Sequence, residues 1–241
     1  MKHILKYTFL ILFSFLLTGG AYAQAFKFPD LPPQGKIASL VPSNWKIIDS
    51  VSGDLNHDGI KDLALILEFY RPVKESRAYG DNTTEIITEI QKPRILAIYF
   101  RRSASGSYKL ITQNNNFILR AEEGGISGDP LRSTTIKDNK LSLSFEGGGN
   151  WRWKLNYAFK YRNGTWNLEN ANNYAYSEAS GEMTDRQYDF QKQKKITVTG
   201  KIDNLERGNE STEQAFPIKT PRTLNNFKKP WTWEISDGEY L

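Results

Sequence analysis

Residues 151–166 read WRWKLNYAFKYRNGTW. Trp151, Trp153, Leu155, Tyr157, Phe159 and Tyr161 alternate without a break with Arg152, Lys154, Asn156, Ala158, Lys160 and Arg162. Successive side chains of a strand point to opposite faces, so the large residues share one face and the four cations the other. Asn163-Gly164 then supplies the left-handed pair of a type I′ hairpin turn. A two-residue loop pairs Arg162 with Thr165, Tyr161 with Trp166 and Phe159 with Leu168, which brings Trp166 and Leu168 onto the apolar face. The aromatic face is either core or a platform that stacks on sugar rings. The cationic face is either solvated or meets an anionic polymer.

The rest of the chain repeats this grammar. Short apolar or alternating runs at 45–51, 63–69 (LALILEF), 94–100 (RILAIYF) and 108–112 are separated by Gly, Asn, Asp and Ser. The 63–69 run is apolar enough for a buried central strand, and residues 103–107 (SASGS) make a turn. Leu141, Leu143 and Phe145 alternate with Ser142 and Ser144, a half-buried strand. The expected fold is mainly β: antiparallel sheets in a meander of hairpins, sandwich-like or open-barrel-like, with little helix, in one domain over residues 37–241. Residues 24–36, with three prolines, form an extended lead-in. Residues 71–93 are an insertion. There Ile86, Ile87 and Ile90 have helical spacing behind a Thr84 cap, while isoleucine and threonine favour strand, and both remain open. Trp231 and Trp233 are expected on a last strand.

The chain has 241 residues, no cysteine and two histidines, His3 and His57. This excludes disulfides, thiolate nucleophiles, cysteine-ligated zinc and multi-histidine metal sites. The N-terminus reads as a secretory signal peptide over residues 1–23. Lys2, His3 and Lys6 precede the apolar run TFLILFSFLL, too short to span a bilayer, and Ala21-Tyr22-Ala23 has the small-x-small cleavage pattern. Removing those 23 residues leaves 218 and lowers the net charge from +5 to +3, because Lys2 and Lys6 leave and no acid does. A balance of +3 gives no footprint for nucleic acid. No later apolar run approaches spanning length, so the mature protein is expected in the periplasm or outside the cell.

The strongest chemical motif is Asp54-Leu55-Asn56-His57-Asp58-Gly59-Ile60-Lys61-Asp62. Oxygen-bearing side chains fall at positions 1, 3, 5 and 9, and Gly59 at position 6 permits the sharp turn. Calcium takes six to eight hard oxygen ligands, which a tight loop with donors at every second position can wrap around it. The candidate ligands are Asp54, Asn56, Asp58 and Asp62 by side chain and Ile60 by its carbonyl. Leu65 stands at position 12, where an EF-hand needs a bidentate glutamate. His57, at position 4, points away from the ion. The affinity expected is roughly 10⁻⁴–10⁻³ M, in the range of extracellular modules.

The spacing D-x-N-x-D-G-x-x-D followed by an apolar strand resembles the calcium loops of integrin-α-type FG-GAP repeats, and less closely those of dockerins. The resemblance implies a loop that joins two strands with a structural ion holding the hairpin. A wider set of pieces, Gly53 to Leu67, Arg94 to Phe100, Gly128 to Pro130 and Trp151 to Trp166, is similar to a group of exported bacterial proteins for which no activity is implied.

The glycine-rich stretches 122–130 (EEGGISGDP) and 146–150 (EGGGN) lack the helix that a phosphate-binding loop needs. Glu122, Glu123 and Asp129 form a second cation site, a carboxylate pair or a flexible surface loop, the last being the expectation. With no catalytic residue assigned, the expected function is recognition by a calcium-stabilised exported protein, with an envelope protein or glycan as partner. Two alternatives stand beside it. One is a carbohydrate-active hydrolase using a carboxylate pair drawn from residues such as Glu122, Asp129 and Glu146. The other is an immunity or inhibitor protein that binds a secreted enzyme.

Overall fold

The computed structural model describes residues 26–79, 85–203, 208–218 and 220–241. The signal segment 1–23 and the Thr84 cap lie outside them. The chain is mainly β, with 56% of residues in strands against 5% in helix, in antiparallel sheets that include a half-barrel.

The first half of the chain supplies β1 (Gln34–Gly35), β2 (Trp45–Gly53), β3 (Asp62–Phe69), β4 (Val73–Tyr79), β5 (Glu85–Gln91), β6 (Arg94–Arg101) and β7 (Tyr108–Asn114). Five of them form a sheet in the order β1-β7-β6-β3-β2, and β4 and β5 make a separate hairpin. Thus the 71–93 insertion is strand, with Ile86 across from Ala78 and Ile90 across from Lys74. The runs LALILEF and RILAIYF are β3 and β6, adjacent in the middle of the sheet. They are apolar at nearly every position because both faces are covered. Ala64, Ile66, Leu96 and Ile98 face the core shared with the second sheet. Leu63, Leu65, Leu67, Ile95 and Ala97 face a second cluster closed by Leu31, Leu40 and Trp45. The extended lead-in covers that side, with Phe26 and Phe28 packed around Trp45.

The second half is a meander of β8 (Leu131–Lys137), β9 (Lys140–Gly148), β10 (Trp151–Arg162), β11 (Thr165–Ser177), β12 (Glu182–Asp189), β13 (Lys194–Lys201) and β14 (Glu210–Ala215), paired in chain order. The β10–β11 turn has both Asn163 and Gly164 at positive φ. The register is Arg162 with Thr165, Tyr161 with Trp166 and Phe159 with Leu168. Beyond Phe159 a bulge skips Glu169, so Ala158 faces Asn170. Its effect is to tuck the Glu169 carboxylate in, nearly fully buried, where Arg162, Lys140 and Gln191 meet it.

The aromatic face of β10 is core. Leu155, Tyr157 and Phe159 are wholly buried and Trp166 nearly so, while Trp153 packs edge-on against Trp231. Only Trp151, at the strand end, stays exposed. Phe117 stands at the hub of this core, edge-on to Tyr157, Phe159 and Phe227 at 5.2–5.3 Å between centroids. Three of the four outward cations are neutralised: Arg152 by Glu178, Lys154 by Glu146 and Arg162 by Glu169.

The last strands are β15 (Glu234–Ser236) and β16 (Glu239–Tyr240), a small hairpin of their own. Trp231 and Trp233 precede them rather than sharing a strand, because Trp231 adopts a positive φ of 62°. Both still pack inward, Trp233 against Phe190 and Phe227.

The sheets meet closely where β2 passes β8. A Cβ added to Gly53 would stand 2.5 Å from Ile136 Cγ2 and 2.8 Å from its Cβ. Gly53→Val is therefore expected to destabilise the fold by about 1–3 kcal/mol, the usual cost of overpacking. The check is a lower urea midpoint with an unchanged slope.

Candidate functional site

The loop 54–62 joins β2 to β3, as a strand–loop–strand hairpin requires. Asp54 organises it. Its Oδ1 accepts the His57 and Asp58 amides at 2.7 and 3.2 Å, and its Oδ2 accepts the Gly59 amide at 2.9 Å. Asp58 accepts the Ile60 amide at 2.8 Å and the Asn56 side-chain amide at 2.9 Å. Gly59 holds a φ of 80°, a conformation that disfavours any residue with a Cβ. Asp62 is wholly buried and accepts the Leu55 and Arg101 amides at 2.9 and 3.0 Å.

Burial pushes the Asp62 carboxyl above its ordinary range. The two amides pull it back, and the charges of Asp58 and Asp54 push it further up. Besides burial, the strongest influences on it are thus two amides and two acids. The donor set fits a hard cation in type, since all five candidates offer oxygen and each ionised carboxylate has about four lone-pair sites. Among the described residues no group of three or more His, Cys, Asp or Glu side chains is gathered in a form that could hold a metal.

His57 has a role that the sequence does not show. Its Nδ1 lies 3.0 Å from Asn139 Oδ1, and Asn139 Nδ2 donates to the Asp54 carbonyl at 2.9 Å. Asn139 sits in the β8–β9 turn, where Asp138 and Asn139 both have positive φ. The loop of one sheet is thereby clasped to a turn of the other.

The stretch 122–130 lies at the surface over much of its length but has regular structure. Most of it forms two short 3-10 turns, Ala121–Ser127, and two of its acids, Glu123 and Asp129, reach partners far along the chain. Glu123 accepts from Arg77, from Lys229 at 2.8 Å and from the Arg120 amide at 2.6 Å. Asp129 binds Arg94, which also holds Glu68 at 2.7 Å and the Leu119 carbonyl at 2.8 Å. Arg120, wholly buried, grips Glu75 of the β4–β5 hairpin through two nitrogens at 2.6 and 3.1 Å. Glu122 is exposed and outside this network.

These contacts bear on the hydrolase alternative. Burial alone would raise the Asp129 carboxyl, but Arg94 holds it below its usual range. Glu146 lies between Arg132 at 3.9 Å and Lys154 at 3.6 Å. A general acid at neutral pH needs an environment opposite to that of Asp129.

A second feature lies on the outward face of the meander. A cleft of about 550 Å³ runs across β10–β13, lined by Asn156, Asn170, Asn172, Asp185, Gln187 and their neighbours. Asn156 Nδ2 donates to Asn172 Oδ1 at 3.3 Å, Asn172 donates to Asp185, and Gln187 Nε2 donates to Asp185 Oδ2 at 2.7 Å. The size is typical of a ligand site. The sequence carried a signal for it in residues 167–174 (NLENANNY), four asparagines in eight residues of one strand. Asparagine is depleted in strands, so the run breaks a local rule; Asn170 and Asn172 line the cleft, while Asn167 donates to the Thr165 carbonyl and Asn173 to that of Tyr240.

Comparison with models of known families, with curated proteins and with solved structures returns no match. Among the described residues no helix is long and apolar enough to cross a membrane.

Proposed function

We propose that this chain is an exported, calcium-stabilised β protein that acts by recognition rather than by catalysis. The observation that carries the calcium reading is Asp62, a buried carboxylate whose neighbours are two further acids and two amides. Burying a charge is costly unless it is paired. One calcium ion held by Asp54, Asn56, Asp58, Asp62 and the Ile60 carbonyl supplies the missing charge. Its role is structural. Because the same loop is clasped to Asn139, an ion that stiffens the loop also stiffens the joint between the sheets. The FG-GAP-like spacing and the signal-peptide pattern support this reading, and the recognition partner belongs to the cell envelope or exterior.

Calcium that binds only the folded chain stabilises it by linkage. With a dissociation constant of roughly 10⁻⁴–10⁻³ M, about 10 mM calcium is expected to add about 1.4–2.7 kcal/mol. Thermal melts in calcium and in EGTA measure this. Asp58→Ala is expected to abolish the difference. Identical melts for the unaltered protein under both conditions overturn the calcium assignment.

A further inference from the structure

We propose that the cleft across β10–β13 binds a short oligosaccharide of uncharged sugars. This rests on the recognition reading above and names its ligand class.

The first observation is the chemistry of the cleft floor. Asn156, Asn172, Asp185 and Gln187 form a continuous hydrogen-bonded chain across three strands. Each carboxamide both donates and accepts, and so does each hydroxyl of a sugar. A row of such groups matches vicinal hydroxyls, where a guanidinium or a lone carboxylate would demand a charged partner. Asn170 extends the row. It is the residue set facing Ala158 by the β10–β11 bulge, and its side chain already accepts from Lys140 at 3.0 Å.

The second observation is charge. The flanking ions are spent on each other, Lys194 with Glu213 at 2.5 Å and Lys192 with Asp189 at 3.4 Å. Asp185 is held by amide donors rather than by a cation. The charged lining residues are Asp185, Asp189 and Glu213 against Lys192 and Lys194, so one negative charge remains on Asp185 and the cleft disfavours an anionic ligand.

The third observation is aromatic. Tyr174 and Tyr176 follow Asn172 on the same face of β11, half-buried, with ring centroids 5.5 Å apart. Tyr174 lies directly across from Asp185, beyond the residues that line the cleft but next to one of them on the same face of the sheet. An aromatic face carries negative potential and suits the weakly positive C–H face of a sugar ring. Amides that fix hydroxyls beside rings that cover C–H surface are what an uncharged sugar chain requires.

The test uses the full chain in calcium. Titration calorimetry and saturation-transfer NMR are run with trisaccharides of glucose and of N-acetylglucosamine, with a uronic acid trisaccharide and with an uncharged tripeptide. A neutral trisaccharide is expected to bind at millimolar affinity or tighter. Asn172→Ala and Tyr174→Ala are each expected to weaken it by about tenfold or more, while Tyr70→Ala, just past the end of β3, leaves it unchanged. Should Asn172→Ala not fold, Tyr174→Ala and Asp185→Asn carry the test. Three results overturn the proposal: no neutral sugar bound at about 10 mM, binding indifferent to these variants, or preference for the uronate or the tripeptide. The calcium-dependent melt of the same sample reports the calcium reading separately, so failure of one is not mistaken for failure of the other.

Discussion

Arg120→Met is expected to destabilise the protein by about 3–5 kcal/mol, a large share of the stability of a typical domain. Arg120 is wholly buried, and its guanidinium satisfies both Glu75 oxygens together with the Ile118 and Asn115 carbonyls at 2.6 and 2.8 Å. Methionine fills much of the volume and supplies none of the five-donor fork. Glu75 would then be a buried carboxylate that has lost its guanidinium and keeps the neutral side-chain amide of Gln91. The site already lies under tension, because burial and the nearby charge of Arg77 lower the Arg120 pKa to about 10 even against the pull of Glu75. Removing both members of the pair tests the origin of the loss. Arg120→Met combined with Glu75→Met is expected to recover most of it, since a buried ion pair contributes little net stability over an apolar replacement. Urea denaturation of the two single variants and the double variant measures the coupling. Additive losses would show that Arg120 acts through packing instead.

The second large effect is expected in acid. Burial alone pushes the Glu123 carboxyl up, but Arg77, Lys229 and the Arg120 amide outweigh it and hold the carboxyl at about 2. A carboxyl whose pKa is depressed in the folded state adds stability that is fully present above its unfolded pKa near 4.5. That stability is lost as pH falls from there through about 2. The shift corresponds to a contribution on the order of 3 kcal/mol. Glu123→Gln keeps the shape and removes the titration. The variant is expected to melt well below the unaltered protein at pH 7, with the gap closing as the pH approaches 2. A gap that persists unchanged at pH 2 would assign the effect to geometry rather than to charge.

The residues that were legible in sequence share one property: their structure is decided by near neighbours. The 151–166 hairpin states its own pattern, turn and register within sixteen residues, so Tyr161 meets Trp166 as the alternation requires. The burial of LALILEF on both faces is likewise written in its composition. The insertion was not decidable, because Ile86, Ile87 and Ile90 suit either period and the partner strand Val73–Tyr79 settles it. The acids of 122–130 look like a surface loop because their partners stand far away in sequence, Glu123 with Lys229 across 106 positions. No local window contains such a pair. Loop 54–62 is readable as an oxygen-rich turn, but its clasp to Asn139 spans 82 and 85 positions and had no local signature. The cleft is harder still, being assembled from outward polar residues of several strands, each unremarkable except for the asparagine run.

The meander ends on β14, whose six residues ESTEQA are all exposed and which, among the described strands, pairs with β13 alone. Its other side meets no described strand, and the backbone along such an edge is the template on which another chain could add a strand and begin a fibre. Two glutamates and no bulky apolar side chain make that addition unrewarding, since like charges would face each other in a paired copy and little surface would leave water. The sheet thus stops at seven strands by making its last one a poor place to continue.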